Sequence, residues 1–156
     1  TYAMVGDIKD SRTIHSLLLG LAKFGGTVYL ISSPGENLPE WLQGELKNSP
    51  LVIKRDSDIM DAAPEIDVWY FTRLQQNLKA EQTSKDPEKN YAKLYGASRE
   101  LRKNMKKDCI VLHPLPHGPE YEEGLDLIDP RFVHFEQADN GFYTRMALLC
   151  LLFKKE

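Results

Sequence analysis

Short apolar runs alternate along this chain with segments whose apolar residues recur at every third or fourth position. Residues 2–6 form an apolar run that stops at Asp7 and reads as a first strand. Asp10-Ser11 then offers N-cap chemistry, and Ile14, Leu17, Leu18, Leu21 and Phe24 follow at helical spacing, with Gly25-Gly26 to close the helix. Residues 27–31 read as a second strand, left through Ser32-Ser-Pro-Gly35. Residues 39–46 predict a helix with Pro39 at its first position, and residues 51–53 a short third strand. Residues 57–63 predict a brief helix, and Val68–Phe71 a fourth strand. Between 76 and 90, charged residues crowd around Pro87 with almost no apolar anchor, which predicts a long mobile loop of the functional kind. A helix over roughly 91–106 leads to a fifth strand at 109–112. A polar connection through Asp129-Pro130 precedes a last helix, expected to start at Asp139-Asn-Gly141 and apolar without interruption over 147–153.

Strands rich in β-branched and aromatic residues, alternating with helices, predict a parallel sheet covered on both faces. Right-handed crossovers then restrict the chain to a three-layer α/β/α, doubly wound fold with five strands in the order 3-2-1-4-5. In such sheets ligands sit outside the carboxyl ends of the strands, where the order reverses. The loops that matter are therefore those after strands one, four and five.

Composition narrows the reading. At 156 residues the chain has the usual size of one domain, and residues 1–156 are read as a single unit. A net charge of −3 without a basic stripe argues against a nucleic-acid surface. Cys109 and Cys150 both lie in apolar runs and are expected to be reduced core residues, neither a disulfide nor a metal pair. No apolar run reaches the ~18 residues that span a bilayer, and Thr1 opens directly on a strand without a signal peptide. No membrane role and a cytoplasmic setting are expected.

The three loops carry the candidate chemistry. After strand one, Arg12 stands at the first turn of a helix, where the macrodipole is already positive and a shared anion would relieve the repulsion. The alternative is a solvated arginine paired with Asp7 or Asp10. After strand four, Arg73 stands two residues before Gln75 and can grip a carboxylate through two parallel N–H bonds, unless it serves a structural ion pair. After strand five, His113-Pro-Leu-Pro-His117 stops the strand, because Pro114 and Pro116 lack an N–H and fix φ. The result is a rim of carbonyl acceptors, or merely a stiff turn. Convergence is the informative part: two arginines and a carbonyl rim suit a small dianion that also carries N–H groups. No dinucleotide fingerprint, P-loop or nucleophile elbow is present, so no cofactor is implied. His113 and His117 sit in a proline loop rather than on one helix face, so no metal site is expected from them.

The stretches Met4-Val-Gly-Asp-Ile-Lys9, Arg12-Thr-Ile-His-Ser-Leu17, Thr72-Arg73-Leu-Gln75, His113-Pro-Leu-Pro116, Gln137-Ala-Asp-Asn-Gly141 and Arg145-Met-Ala-Leu-Leu149 resemble the aspartate carbamoyltransferases. The resemblance covers nearly the whole chain, but only the family's carboxyl-terminal, aspartate-binding half. The family's amino-terminal half, with its loop for carbamoyl phosphate, is not among these residues. Ornithine carbamoyltransferase is a weaker match, since it carries a cysteine in the position of Pro114. The resemblance implies that Arg12 holds the α-carboxylate of aspartate and Arg73 the β-carboxylate, with Gln75 supporting. Carbonyls around Pro114, Leu115 and Pro116 would receive N–H groups of carbamoyl phosphate and of the attacking amine, and the Leu115–Pro116 bond would be cis. The chemistry needs orientation and fixed positive charge, so no catalytic side chain is assigned. The resemblance also implies closure of the 76–90 loop over substrates and a trimer-based assembly of full-length chains. It further implies that the last helix packs on the amino-terminal domain, leaving apolar surface exposed when these residues stand alone.

Three departures bear on activity. Asp10-Ser11 replaces the family's Tyr-Gly, Gln76-Asn77-Leu78 its Lys-Glu-Arg, and His117 its arginine after the prolines. Two other readings therefore stand beside the first: a carbamoyltransferase relative with another amino-acid substrate, and a non-catalytic paralogue serving as an interaction module.

Overall fold

The computed structural model describes residues 1–55, 58–73 and 92–154. Its strands are β1 (Tyr2–Val5), β2 (Gly26–Ile31), β3 (Leu51–Arg55), β4 (Val68–Phe71) and β5 (Ile110–Leu112). They form one sheet in the order β3-β2-β1-β4-β5, with every neighbouring pair parallel. Period-two alternation divides each central strand between two cores. Ala3, Val5, Tyr29, Ile31, Trp69 and Phe71 face one, and Met4, Val28, Leu30 and Tyr70 face the other.

Helices cover both faces. On one side α1 (Arg12–Leu21) and α2 (Glu40–Leu46) bury Ile14, Leu18, Leu42 and Leu46. On the other, α3 (Ile59–Ala62), its 3₁₀ continuation Ala63–Glu65, α4 (Arg99–Asn104) and α5 (Leu125–Ile128) contribute Ile59, Ala62, Leu101 and Leu125. The three-layer, doubly wound expectation and its strand order hold. A further helix, α6 (His134–Phe153), extends away from this core.

Several expected details differ. The helix expected over 91–106 is broken: residues 92–95 are helical, and α4 begins only at Arg99. Gly96 sits at the break, where a Cβ would lie 2.3 Å from the carbonyl oxygen of Ala92 and 2.9 Å from that of Glu120. The N–H of Ala97 then donates to the Glu120 carbonyl at 2.7 Å. A tertiary contact therefore overrides the local helical pattern. The last helix starts at His134, five residues before Asp139, and Asp139-Asn-Gly141 lies inside it. Phe24 falls beyond the end of α1 and is exposed, so it is no part of the buried stripe. Cys109 is buried as expected, but Cys150 on α6 is exposed, because almost nothing covers that helix after its first turn. The exposed ring of Leu148, Leu149, Leu151, Leu152 and Phe153 matches the expectation of uncovered apolar surface. Among the described residues, no helix is long and apolar enough to cross a membrane.

Candidate functional site

β1 and β4 are adjacent at the centre of the sheet, and the chain leaves them toward opposite flanks. A crevice of about 220 Å³ opens at this reversal. The β1 loop lines it with Ser11, Arg12 and Thr13, the β4 loop with Thr72 and Arg73, and the β5 loop with His113, Pro114, Leu115 and Pro116.

Local bonds deliver each wall. Asp7 is fully buried; its Oδ1 accepts the N–H of Asp10 at 3.0 Å and its carbonyl that of Ser11 at 3.2 Å. This turn ends at Arg12, the first residue of α1. Ser11 stands at the N-cap but makes no side-chain capping bond; its hydroxyl pairs with that of Thr13 at 2.9 Å. The first turn of α1, which also lacks an acidic residue, thus presents its N–H groups and positive dipole end to the crevice. On the facing wall, the N–H and hydroxyl of Thr72 both donate to the Val5 carbonyl, at 2.9 and 3.2 Å. Thr72 is thereby pinned to β1, and Arg73 projects from the next position.

The rim after β5 is held from behind. The Leu115–Pro116 peptide is cis and Leu115 has φ 58°. The Leu115 N–H donates to His113 Nδ1 at 2.9 Å, and the His113 N–H donates to Gln137 Oε1 at 3.0 Å. With Nδ1 accepting, the ring proton of a neutral His113 belongs on Nε2, which lies 2.8 Å from Glu120 Oε1. Burial favours the neutral form of Glu120, but the His113 contact and the Gly118 N–H, at 2.9 Å, outweigh it and hold the carboxyl below its ordinary pKa. Among the described residues, the carbonyls of Pro114, Leu115 and Pro116 accept no hydrogen bond. They are available acceptors.

Arg12 and Arg73 are exposed, and neither forms an ion pair among the described residues; in particular, Arg12 pairs with neither Asp7 nor Asp10. Residues 1–152 match the family model for the aspartate/ornithine carbamoyltransferase Asp/Orn-binding domain. The chain belongs to this carbamoyltransferase family. A curated relative, the aspartate carbamoyltransferase catalytic subunit of Methanopyrus kandleri, is 35% identical over 96% of this chain and 47% of its own length. The solved catalytic subunit of aspartate transcarbamoylase from M. jannaschii has a TM-score of 0.84 at 30% identity, covering 98% of this chain and 48% of that one. The Trypanosoma cruzi aspartate transcarbamoylase in complex with N-(phosphonacetyl)-L-aspartic acid has a TM-score of 0.79 at 29% identity, covering 95% and 47%. The chain spans about half the length of the relatives it matches.

Five of the expected carbamoyltransferase site residues, Arg12, Arg73, Pro114, Leu115 and Pro116, meet around one crevice. Gln75 and the 76–90 loop lie outside the described residues. Sequence reasoning did not assign Ser11, Thr13 or Thr72, although each is next to an assigned arginine or one residue from it. It also missed Gln137 as the support of the His113 backbone, a contact between residues 24 apart that no local pattern announces.

Proposed function

We propose that this chain is the amino-acid-binding part of an aspartate carbamoyltransferase, which moves the carbamoyl group of carbamoyl phosphate to the amine of L-aspartate in pyrimidine biosynthesis. The observation that carries this reading is that two guanidinium groups and three backbone carbonyls, all without a partner among the described residues, line one small crevice. Arg12, aided by the α1 N-terminus, holds the α-carboxylate, and Arg73 holds the β-carboxylate with Gln75 beside it. The rim at Pro114, Leu115 and Pro116 accepts N–H groups of the carbamoyl donor and of the attacking amine. The amine nitrogen bonds to the carbamoyl carbon, the carbon–oxygen bond to phosphate breaks, and the proton that the nitrogen gives up passes to the departing phosphate. Orientation and fixed positive charge suffice for this step. The T. cruzi relative's complex with N-(phosphonacetyl)-L-aspartic acid, which joins a phosphonate to an aspartate, supports the same pairing of substrates. His117, a departure from the family pattern, is not among the residues lining the crevice, which favours aspartate over another amino acid.

The crevice grips the amino acid, but a strong phosphate cradle needs further Arg, Lys or helix N-termini. In this family they come from the amino-terminal half. Residues 1–156 alone are therefore expected to give no carbamoyl aspartate, with activity appearing once an amino-terminal domain is supplied in cis or as a separate chain. Full-length chains acting as a cytoplasmic, trimer-based enzyme complete the proposal. The decisive assay is carbamoyl aspartate production by the purified chain with and without that domain. Robust turnover by residues 1–156 alone overturns the half-enzyme reading, and no turnover from the combined domains overturns the transferase reading.

A further inference from the structure

Past the proline rim, three side chains from three different segments turn toward one another. His117 follows the rim, Asp126 lies on α5, and His134 opens α6. One ligand atom from each falls within 4.8 Å of the other two. His117 Nε2 is 3.4 Å and His134 Nε2 3.9 Å from Asp126 Oδ2. In a tetrahedral zinc site with bonds of about 2.0–2.1 Å, ligand atoms stand about 3.3 Å apart. One edge already has that length, a second is 3.9 Å, and the third is no longer than 4.8 Å.

His134 supplies the observation that points to a ligand. It is 1% exposed, yet neither of its ring nitrogens has a hydrogen-bond partner among the described residues. Buried polar atoms are nearly always satisfied, and an orphaned one costs about 1–3 kcal/mol. The rings of His117 and Tyr121 pack against it at 5.2 and 5.6 Å between centroids, so a purely apolar ring would fill the space without that cost. His113, weighed with His117 as a ligand pair from sequence, is instead engaged with Glu120 and the Leu115 N–H. On the solvent side the His117 side chain is 30% exposed and that of Asp126 10%, which leaves room for a water as a further ligand.

We propose that His117, Asp126 and His134 form a binding site for a divalent transition-metal cation of the zinc class. Two imidazoles with a single carboxylate suit such an ion and disfavour magnesium or calcium, which take oxygen ligands. Bound there, the ion ties the end of the proline loop, α5 and the root of α6 together. This site does not depend on the transfer reaction.

The test uses the purified chain carrying Cys150→Ser, which removes the exposed thiol as a competing ligand, after stripping with a chelator. Equilibrium dialysis is expected to show one Zn²⁺ bound per chain, no comparable uptake of Mg²⁺, and a raised Tm with Zn²⁺. Co²⁺ in its place should give visible ligand-field absorption. His134→Gln should weaken Zn²⁺ binding at least about tenfold and abolish the cobalt absorption. Should His134→Gln fail to fold, His117→Gln and Asp126→Asn, which reach solvent, carry the same expectation. A folded parent chain that takes up no stoichiometric Zn²⁺, or binding equally strong in the double variant His117→Gln/Asp126→Asn, overturns the proposal.

Discussion

Two pairs of arginines in this domain have opposite fates. Arg102 and Arg131 close on Asp129, which is buried between them. Arg131 donates from Nε to Oδ1 at 3.0 Å and from Nη2 to Oδ2 at 2.6 Å, while Nη1 donates to the Lys106 carbonyl at 3.0 Å. Arg102 Nε adds a 2.6 Å bond to Asp129 Oδ2. Every nitrogen of the Arg131 guanidinium is thereby used, and the result fastens the segment before α6 to α4. Arg12 and Arg73 face a crevice and spend no donor on a described protein carboxylate. A guanidinium that finds its acceptors within the fold stabilises the fold; one held by its backbone with donors unspent has them to offer a ligand, which is the role proposed for Arg12 and Arg73. Residue type and charge are identical in both pairs, and only the position of the acceptor differs.

Experiments can break this contrast, beginning with the largest expected effect. Arg131→Ala strands part of the buried Asp129 charge and should lower the unfolding free energy by roughly 3 kcal/mol, read from urea denaturation. A loss under about 1 kcal/mol would make the cluster ornamental. Arg73→Ala, in the chain joined to an amino-terminal domain, should reduce kcat/KM for aspartate by about a hundredfold, or about 2.7 kcal/mol, with the urea midpoint unmoved. Near-normal aspartate kinetics in both Arg73→Ala and Arg12→Ala would remove the dicarboxylate assignment.

Acid should separate the pairs more gently. The Arg131 guanidinium holds the Asp129 carboxyl well below the usual carboxylate range, against the opposing effect of burial. A pKa depressed in the folded state contributes stability that is present above the unfolded value, near 3.9, and is lost as pH falls toward the folded one. Urea midpoints should therefore drop below about pH 4, and Asp129→Asn should flatten that part of the profile. An unchanged acid limb in Asp129→Asn would assign the loss to other carboxylates, Glu120 among them. The smallest effect belongs to Lys54, whose contacts with Glu65 and the Tyr29 hydroxyl lie at the surface. Lys54→Ala should leave the urea midpoint unchanged in moderate salt.

What the sequence disclosed follows from where the information is stored. The strands were legible because a parallel sheet buried on both faces demands apolar runs, and Val68–Phe71 was placed to the residue. Arg12 and Arg73 were legible because topology alone sends both loops to the same end of the sheet. The start of α6 was not, since its N-cap is Val133, which offers no side-chain acceptor, while Asp139-Asn-Gly141 mimics a turn. The break at Gly96 was hidden for another reason: the Glu120 carbonyl that forbids a side chain there is distant in sequence. The grouping of His117, Asp126 and His134 was likewise out of reach, because the segment joining them has no periodicity to phase.

Helix α6 is a cantilever. Its root is clamped: His134 is buried, the Val133 N–H donates to the Val111 carbonyl at 3.0 Å, and Gln137 holds the His113 backbone. Its far end, about 25 Å along the axis, is exposed and rests on nothing among the described residues. A one-degree tilt at the root moves that tip by about 0.4 Å, and the lever works equally in reverse. Whatever body seats on the apolar tip therefore has leverage on Gln137, a side-chain strut of the proline rim, so the rim's position is a mechanical reading of how that distant end is held.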